Sequence, residues 1–74
     1  MSFRLGSYRP KDVIRKLKNA GFSVDHTTGS HVILFHPISR VRVVVPYHVK
    51  DVKRGLLFGI IKQAGLTLEE FQDL

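Results

Sequence analysis

Seventy-four residues without a cysteine make one small domain, residues 1–74, with no disulfide to supplement a core; such a chain buries only about 60% of its unfolded surface. No apolar run approaches the ~18 residues of a membrane span, and the opening MSFRLGSYRP lacks a signal peptide's apolar core, so a soluble cytoplasmic protein with no membrane partner is expected. Twelve Lys+Arg against six Asp+Glu leave a net charge of +6, and three of the acids (Glu69, Glu70, Asp73) sit at the far C-terminal end, a balance that points to a polyanionic partner, most often nucleic acid.

The first element is RPKDVIRKLKNAGF. Pro10 suits a first helical turn, where its missing N–H costs nothing, and Asp12 favours the positive end of the helix dipole. Val13, Ile14, Leu17 and Ala20 form an apolar stripe at helical spacing, and Gly21 supplies the stop. Lys11, Arg15 and Lys18 recur on the other side, as a solvated face or as one that tracks phosphates. Three strands follow: FSVDH (22–26), HVILFH (31–36) and VRVVV (41–45), rich in β-branched and aromatic residues. The connections TTGS and PISR are short and carry turn chemistry, which makes both pairings antiparallel hairpins. Pro46 ends the third strand. After YHVKDVK, the stretch RGLLFGIIKQAG predicts a second helix, with Leu57, Ile60, Ile61 and Ala64 inward and Gly65 as its stop. Gly59 in its middle costs roughly 1 kcal/mol relative to Ala. Finally, TLEEF has the Thr67…Glu70 spacing of a capping box and starts a short helical turn. The expected class is α+β: α-β-β-β-α, a three-stranded antiparallel sheet with two helices on one face.

Loop length sets which sheet face is inward. If PISR is a four-residue loop, His36 opposes Val41, Leu34 opposes Val43, and Val32 opposes Val45, and opposed residues share a face. Val32, Leu34, Val41, Val43 and Val45 then make the better core. His31, Ile33, Phe35, Arg42 and Val44 face away from the helices, an apolar surface suited to a partner.

His31, directly after Gly29-Ser30, admits three readings: a strand-edge residue, a metal ligand or an acid/base catalyst. His31 and His36 lie five positions apart on one strand, roughly 16 Å at ~3.3 Å per residue and on opposite faces, so they cannot share a metal. His26 is placed across the hairpin from His31, but no cysteine or carboxylate pair completes a site, and no metal is expected. Ser30 is adjacent in sequence, where strand side chains diverge, so a serine triad is disfavoured. Proton transfer by an imidazole is the chemistry left, as in metal-free RNA cleavage, where a base takes the ribose 2′-OH proton and cations surround the developing charge.

The assembled series AGF at the end of helix one, GSH opening the second strand, HP at its end, VVVPYH closing the third, and IIKQAGLTLEEF resembles the HicA-type (YcfA-like) toxins, over roughly residues 8–72. The resemblance implies a double-stranded-RNA-binding-domain-like fold, endoribonuclease (mRNA interferase) activity on mRNA, and neutralisation by a HicB-type antitoxin of a type II toxin–antitoxin module. It implies no small-molecule cofactor. The family's catalytic histidine falls on His31, as general base or acid. Gly29 matches its glycine, and a turn residue without Cβ lets backbone approach a phosphate. Ser30 matches in a phosphate or turn role, and His48 matches the histidine after VP, for leaving-group protonation or scaffolding. Phosphate contacts are expected from Lys11, Arg15, Lys18 and Arg42. Phe35, Leu56 and Phe58 are apolar where the family is commonly basic or polar, which makes Phe35 and Phe58 candidates to anchor the antitoxin or stack a base. A non-catalytic RNA-binding module of the same fold is the alternative on the same residues.

Overall fold

A computed structural model of the chain describes residues 6–74; the start of the stretch scanned for a targeting signal lies outside them. The element order is α1 (Pro10–Asn19), β1 (Ser23–Thr28), β2 (His31–Phe35), β3 (Arg42–Pro46), α2 (Arg54–Gln63) and α3 (Leu68–Gln72). This is the predicted α-β-β-β-α order, and the sheet is antiparallel in the order β1-β2-β3. No helix among the described residues is long and apolar enough to cross a membrane.

Both long helices stop where glycine allows them to. Gly21 adopts φ 105° and its N–H donates to Lys18 O, while Phe22 N donates to Leu17 O. Gly65, at φ 78°, repeats the pattern with Lys62 O, and Leu66 N donates to Ile61 O. Each pair satisfies carbonyls that would otherwise end the helix unpaired. At Gly21 space is decisive too, since a Cβ there would lie 2.6 Å from His36 Nε2. At α3 the capping box forms as the spacing predicts: Glu70 N donates to Thr67 Oγ1 at 3.0 Å, and Thr67 N to Glu70 Oε1 at 2.8 Å.

The β2–β3 register is the predicted one, with Val32 opposite Val45 and Leu34 opposite Val43. His36 N donates to Val41 O across a loop that closes with Arg40 at φ 62°. Val32, Leu34, Val43 and Val45 are buried against Val13, Leu17, Leu57, Ile60 and Ile61, with Val41 half-buried beside them. On the outer face His31, Arg42 and Val44 are exposed and Ile33 and Phe35 half-buried. At about 25 cal/mol per Å² of apolar surface removed from water, the aliphatic face is the one the helices cover.

The first hairpin departs from expectation. β1 begins at Ser23, leaving Phe22 in the core, and runs on through Thr28, so TTGS contracts to a two-residue Gly29-Ser30 turn. Thr27 pairs with Val32 and Thr28 with His31. The register shifts between Val24 and His26, so one extra residue is accommodated there and His26 opposes Ile33, not His31. A bulge of this kind cannot be read from alternation, because it breaks the alternation. Every residue of β1 is exposed, and the helices pack mainly on β3.

Candidate active site

Gly29 turns the β1–β2 hairpin at φ 55°, and a Cβ there would meet nothing within 4 Å. Its glycine is therefore required by backbone conformation, and the space above it stays open. Next to it, Ser30 O accepts from Tyr47 N at 2.6 Å. That bond ties the hairpin tip to the segment leaving β3, just past the His31–Pro46 pair. A second tether holds the same segment from below, where Tyr8 and Val52 exchange backbone hydrogen bonds of 3.3 and 2.7 Å around a fully buried Val52 side chain.

The two tethers bring His48 against His31. The rings lie 6.1 Å apart between centroids, edge to face at 70°. Both are exposed, and with Thr27, Gly29, Ser30, Val32 and Tyr47 they line a shallow cavity of about 460 Å³. His48 also borders a second depression with Val49, Lys50, Asp51, Lys53 and Leu56. Tyr47 borders a third, with Arg9, Pro10, Lys11 and Lys50. Sharing Tyr47, His48 and Lys50, the three depressions form a strip that carries two imidazoles, a phenol, four cations (Arg9, Lys11, Lys50, Lys53) and the Asp51 carboxylate. Two imidazoles this close can divide the roles of proton acceptor and proton donor.

The residues singled out in the sequence do not all converge. His31, His48, Gly29 and Ser30 line one cavity, and Lys11 borders the strip. Arg15 and Lys18 are exposed further along α1, and Arg15 lies 3.8 Å from Asp12. Arg42 stands at the other end of the sheet's outer face, opposite Phe35 in the ladder. Its Nη1 donates to Asp25 at 3.1 Å and its guanidinium lies over the Phe35 ring at 4.8 Å. Asp25 is also bonded to His26 Nδ1 at 2.7 Å, and these contacts, the His26 bond foremost, hold its carboxyl below the usual Asp range. His36 is structural: its Nδ1 accepts from Ile38 N and Ser39 N, and its ring packs edge-on against Phe22. Among the described residues no three His, Cys, Asp or Glu side chains converge as metal ligands.

Tyr47, Arg9, Lys50 and Lys53 were not anticipated. YHVKDVK has no periodicity to assign its side chains to a face, and only the tethers to Ser30 and Tyr8 place them. The family model described as HicA toxin of bacterial toxin–antitoxin matches residues 10–66. No curated protein matches the chain.

Proposed function

This chain belongs to the HicA toxins of bacterial toxin–antitoxin systems, and from that premise we propose that it is an mRNA endoribonuclease acting through His31 and His48 without a metal. As the toxin of such a module it has a cognate antitoxin as partner; in this reading the antitoxin is of the HicB type and both work in the cytoplasm. The observation that supports the reaction is the pair of imidazoles 6.1 Å apart across an open cavity, with cations lining the depressions next to it.

One ring takes the proton from the ribose 2′-OH, the 2′-oxygen attacks the adjacent phosphorus, and the bond to the 5′-oxygen breaks. The other ring delivers a proton to that leaving oxygen. The products are a 2′,3′-cyclic phosphate and a 5′-hydroxyl, and no water is consumed in this step. His31 is assigned the base and His48 the acid. Gly29-Ser30 presents its backbone to the phosphate, and Lys11 and Lys50 with Arg9 and Lys53 offset the charge that grows on its oxygens. Arg15 and Lys18 extend the basic surface along α1.

The test is cleavage of a defined RNA in EDTA by nuclease-free protein. His31→Ala is expected to lose about 10²–10⁴-fold in rate while its circular dichroism and RNA affinity stay near wild type. Undiminished cleavage by the folded variant would remove His31 from the mechanism. Tight RNA binding by the wild type with neither turnover nor cyclic-phosphate ends would instead make the protein a binding module.

A further inference from the structure

We propose that Arg42 and Phe35 form a stacking platform for a base of single-stranded RNA, held apart from the scissile phosphate at the opposite end of the sheet's outer face. The inference rests on the endoribonuclease reading for its position relative to the reaction, but not for its own geometry.

Arg42 is poorly disposed to act as a phosphate clamp. One of its nitrogens is already committed to Asp25 at 3.1 Å, and that carboxylate offsets its charge. The same contact does something else: it holds the guanidinium over the Phe35 ring, its Cζ 4.8 Å from the ring centroid. A guanidinium bonded to a carboxylate and resting over an aromatic ring, its side chain still 58% exposed, has less rotamer freedom to lose when a planar group stacks on it. Asp25 is the residue left without a partner at the irregularity between Val24 and His26, and its carboxylate meets Arg42 across the central strand. His26 is bonded to Asp25 from the other side at 2.7 Å, which steadies the carboxylate.

Position completes the argument. Phe35 and His31 are on the same strand and the same face, four residues apart, or roughly 13 Å at about 3.3 Å per residue. Between them lie Ile33 and Val44, half-buried and exposed, an apolar floor flanked on β1 by His26, which opposes Ile33. Unpaired bases stack on aromatic and guanidinium planes, which is how single strands are held with little sequence preference. The net charge of +6 favours association with a polyanion. An RNA strand seated with its scissile phosphate between His31 and His48 would run over Ile33 and Val44 and lay a base on Arg42.

The experiment compares a dinucleotide, too short to reach Arg42, with longer oligoribonucleotides. In the wild type the longer substrates should show higher kcat/KM, through KM. Arg42→Lys keeps the charge and removes the plane. It should shrink the advantage of the longer substrate by about 5- to 150-fold, the range expected for loss of one stacked base. Phe35→Leu and Asp25→Asn should do so to a smaller extent. Binding of 2-aminopurine-labelled oligomers to the His31→Ala protein supplies a readout independent of cleavage, since stacking quenches the probe. If Arg42→Lys keeps both the length advantage and the quenching, the contact is with phosphate and the platform is wrong. Equal losses on both lengths would mean that Arg42 only supports the fold. Unchanged RNA binding with lost antitoxin affinity would make the platform a protein-docking surface and overturn the proposal. Quenching without any cleavage, by contrast, would keep the platform and refute only the nuclease reading.

Discussion

His31 faces solvent because Val32 and Leu34 must not, and its neighbour across the cavity arrives through the backbone bond from Tyr47 to Ser30. Assigning His31 as base and His48 as acid leads to a test that a merely structural His48 would not satisfy. His48→Ala is expected to lose about 10²–10⁴-fold on an ordinary RNA linkage, and far less on a uridine 3′-aryl phosphate whose phenolate leaves without protonation. Equal losses on both substrates would return His48 to a scaffolding role. Other single residues show how little of their role spacing can convey. Lys16 belongs to a helix rich in exposed lysines, yet it is buried, 8% exposed. Its Nζ donates to Phe71 O, Gln72 O and Leu74 O at 3.2–3.3 Å, between the rings of Tyr8 and Phe71. The ammonium thereby satisfies carbonyls at the negative end of α3. Nothing in RKLKN separates this lysine from Lys18, because the partners lie more than fifty positions away.

Among the elements, α2 is the least well served by its own sequence. Gly59 lies exposed in mid-helix, and a Cβ there would meet nothing within 4 Å. Gly59→Ala should therefore stabilise the protein by roughly 1 kcal/mol, raising Tm by about 4–8 °C; an unchanged or lower Tm in thermal denaturation would show that α2 gains nothing from the added propensity. Gly21 gives the contrast, with positive φ and His36 2.6 Å from any Cβ. Strands followed the same division between local and distant causes. The β2–β3 register was legible because a four-residue loop and strict alternation leave one pairing that puts Val32, Leu34, Val43 and Val45 together on the inward face. The β1–β2 hairpin was not, since its two-residue turn and its irregularity each shift the register by an amount that composition does not encode. The misplacement of His26 opposite His31 followed directly from that.

Across the whole molecule the charge is distributed so that Arg9, Lys11, Lys50 and Lys53 line depressions that adjoin the cavity of the imidazole pair. If these four meet phosphates, the affinity of the His31→Ala protein for a single-stranded oligomer should fall with salt at a log–log slope of about −0.7 per contact. Lys50→Ala should then flatten the slope by about 0.7, and an unaltered slope would take this loop out of the RNA interface. The basic balance, the element order, the glycine stops, the capping box and the inward face of β2 and β3 were all determined by the sequence itself. Each depends on interactions spanning a few residues or on one alternating pattern, which a linear reading can follow. Only the tertiary structure decided that His48 meets His31, that Tyr47 and Lys50 border the same strip, and that Arg42 lies bound to Asp25 over Phe35 at the far end. Those arrangements come from backbone bonds and a strand irregularity that join distant segments, and no periodicity along the chain carries them.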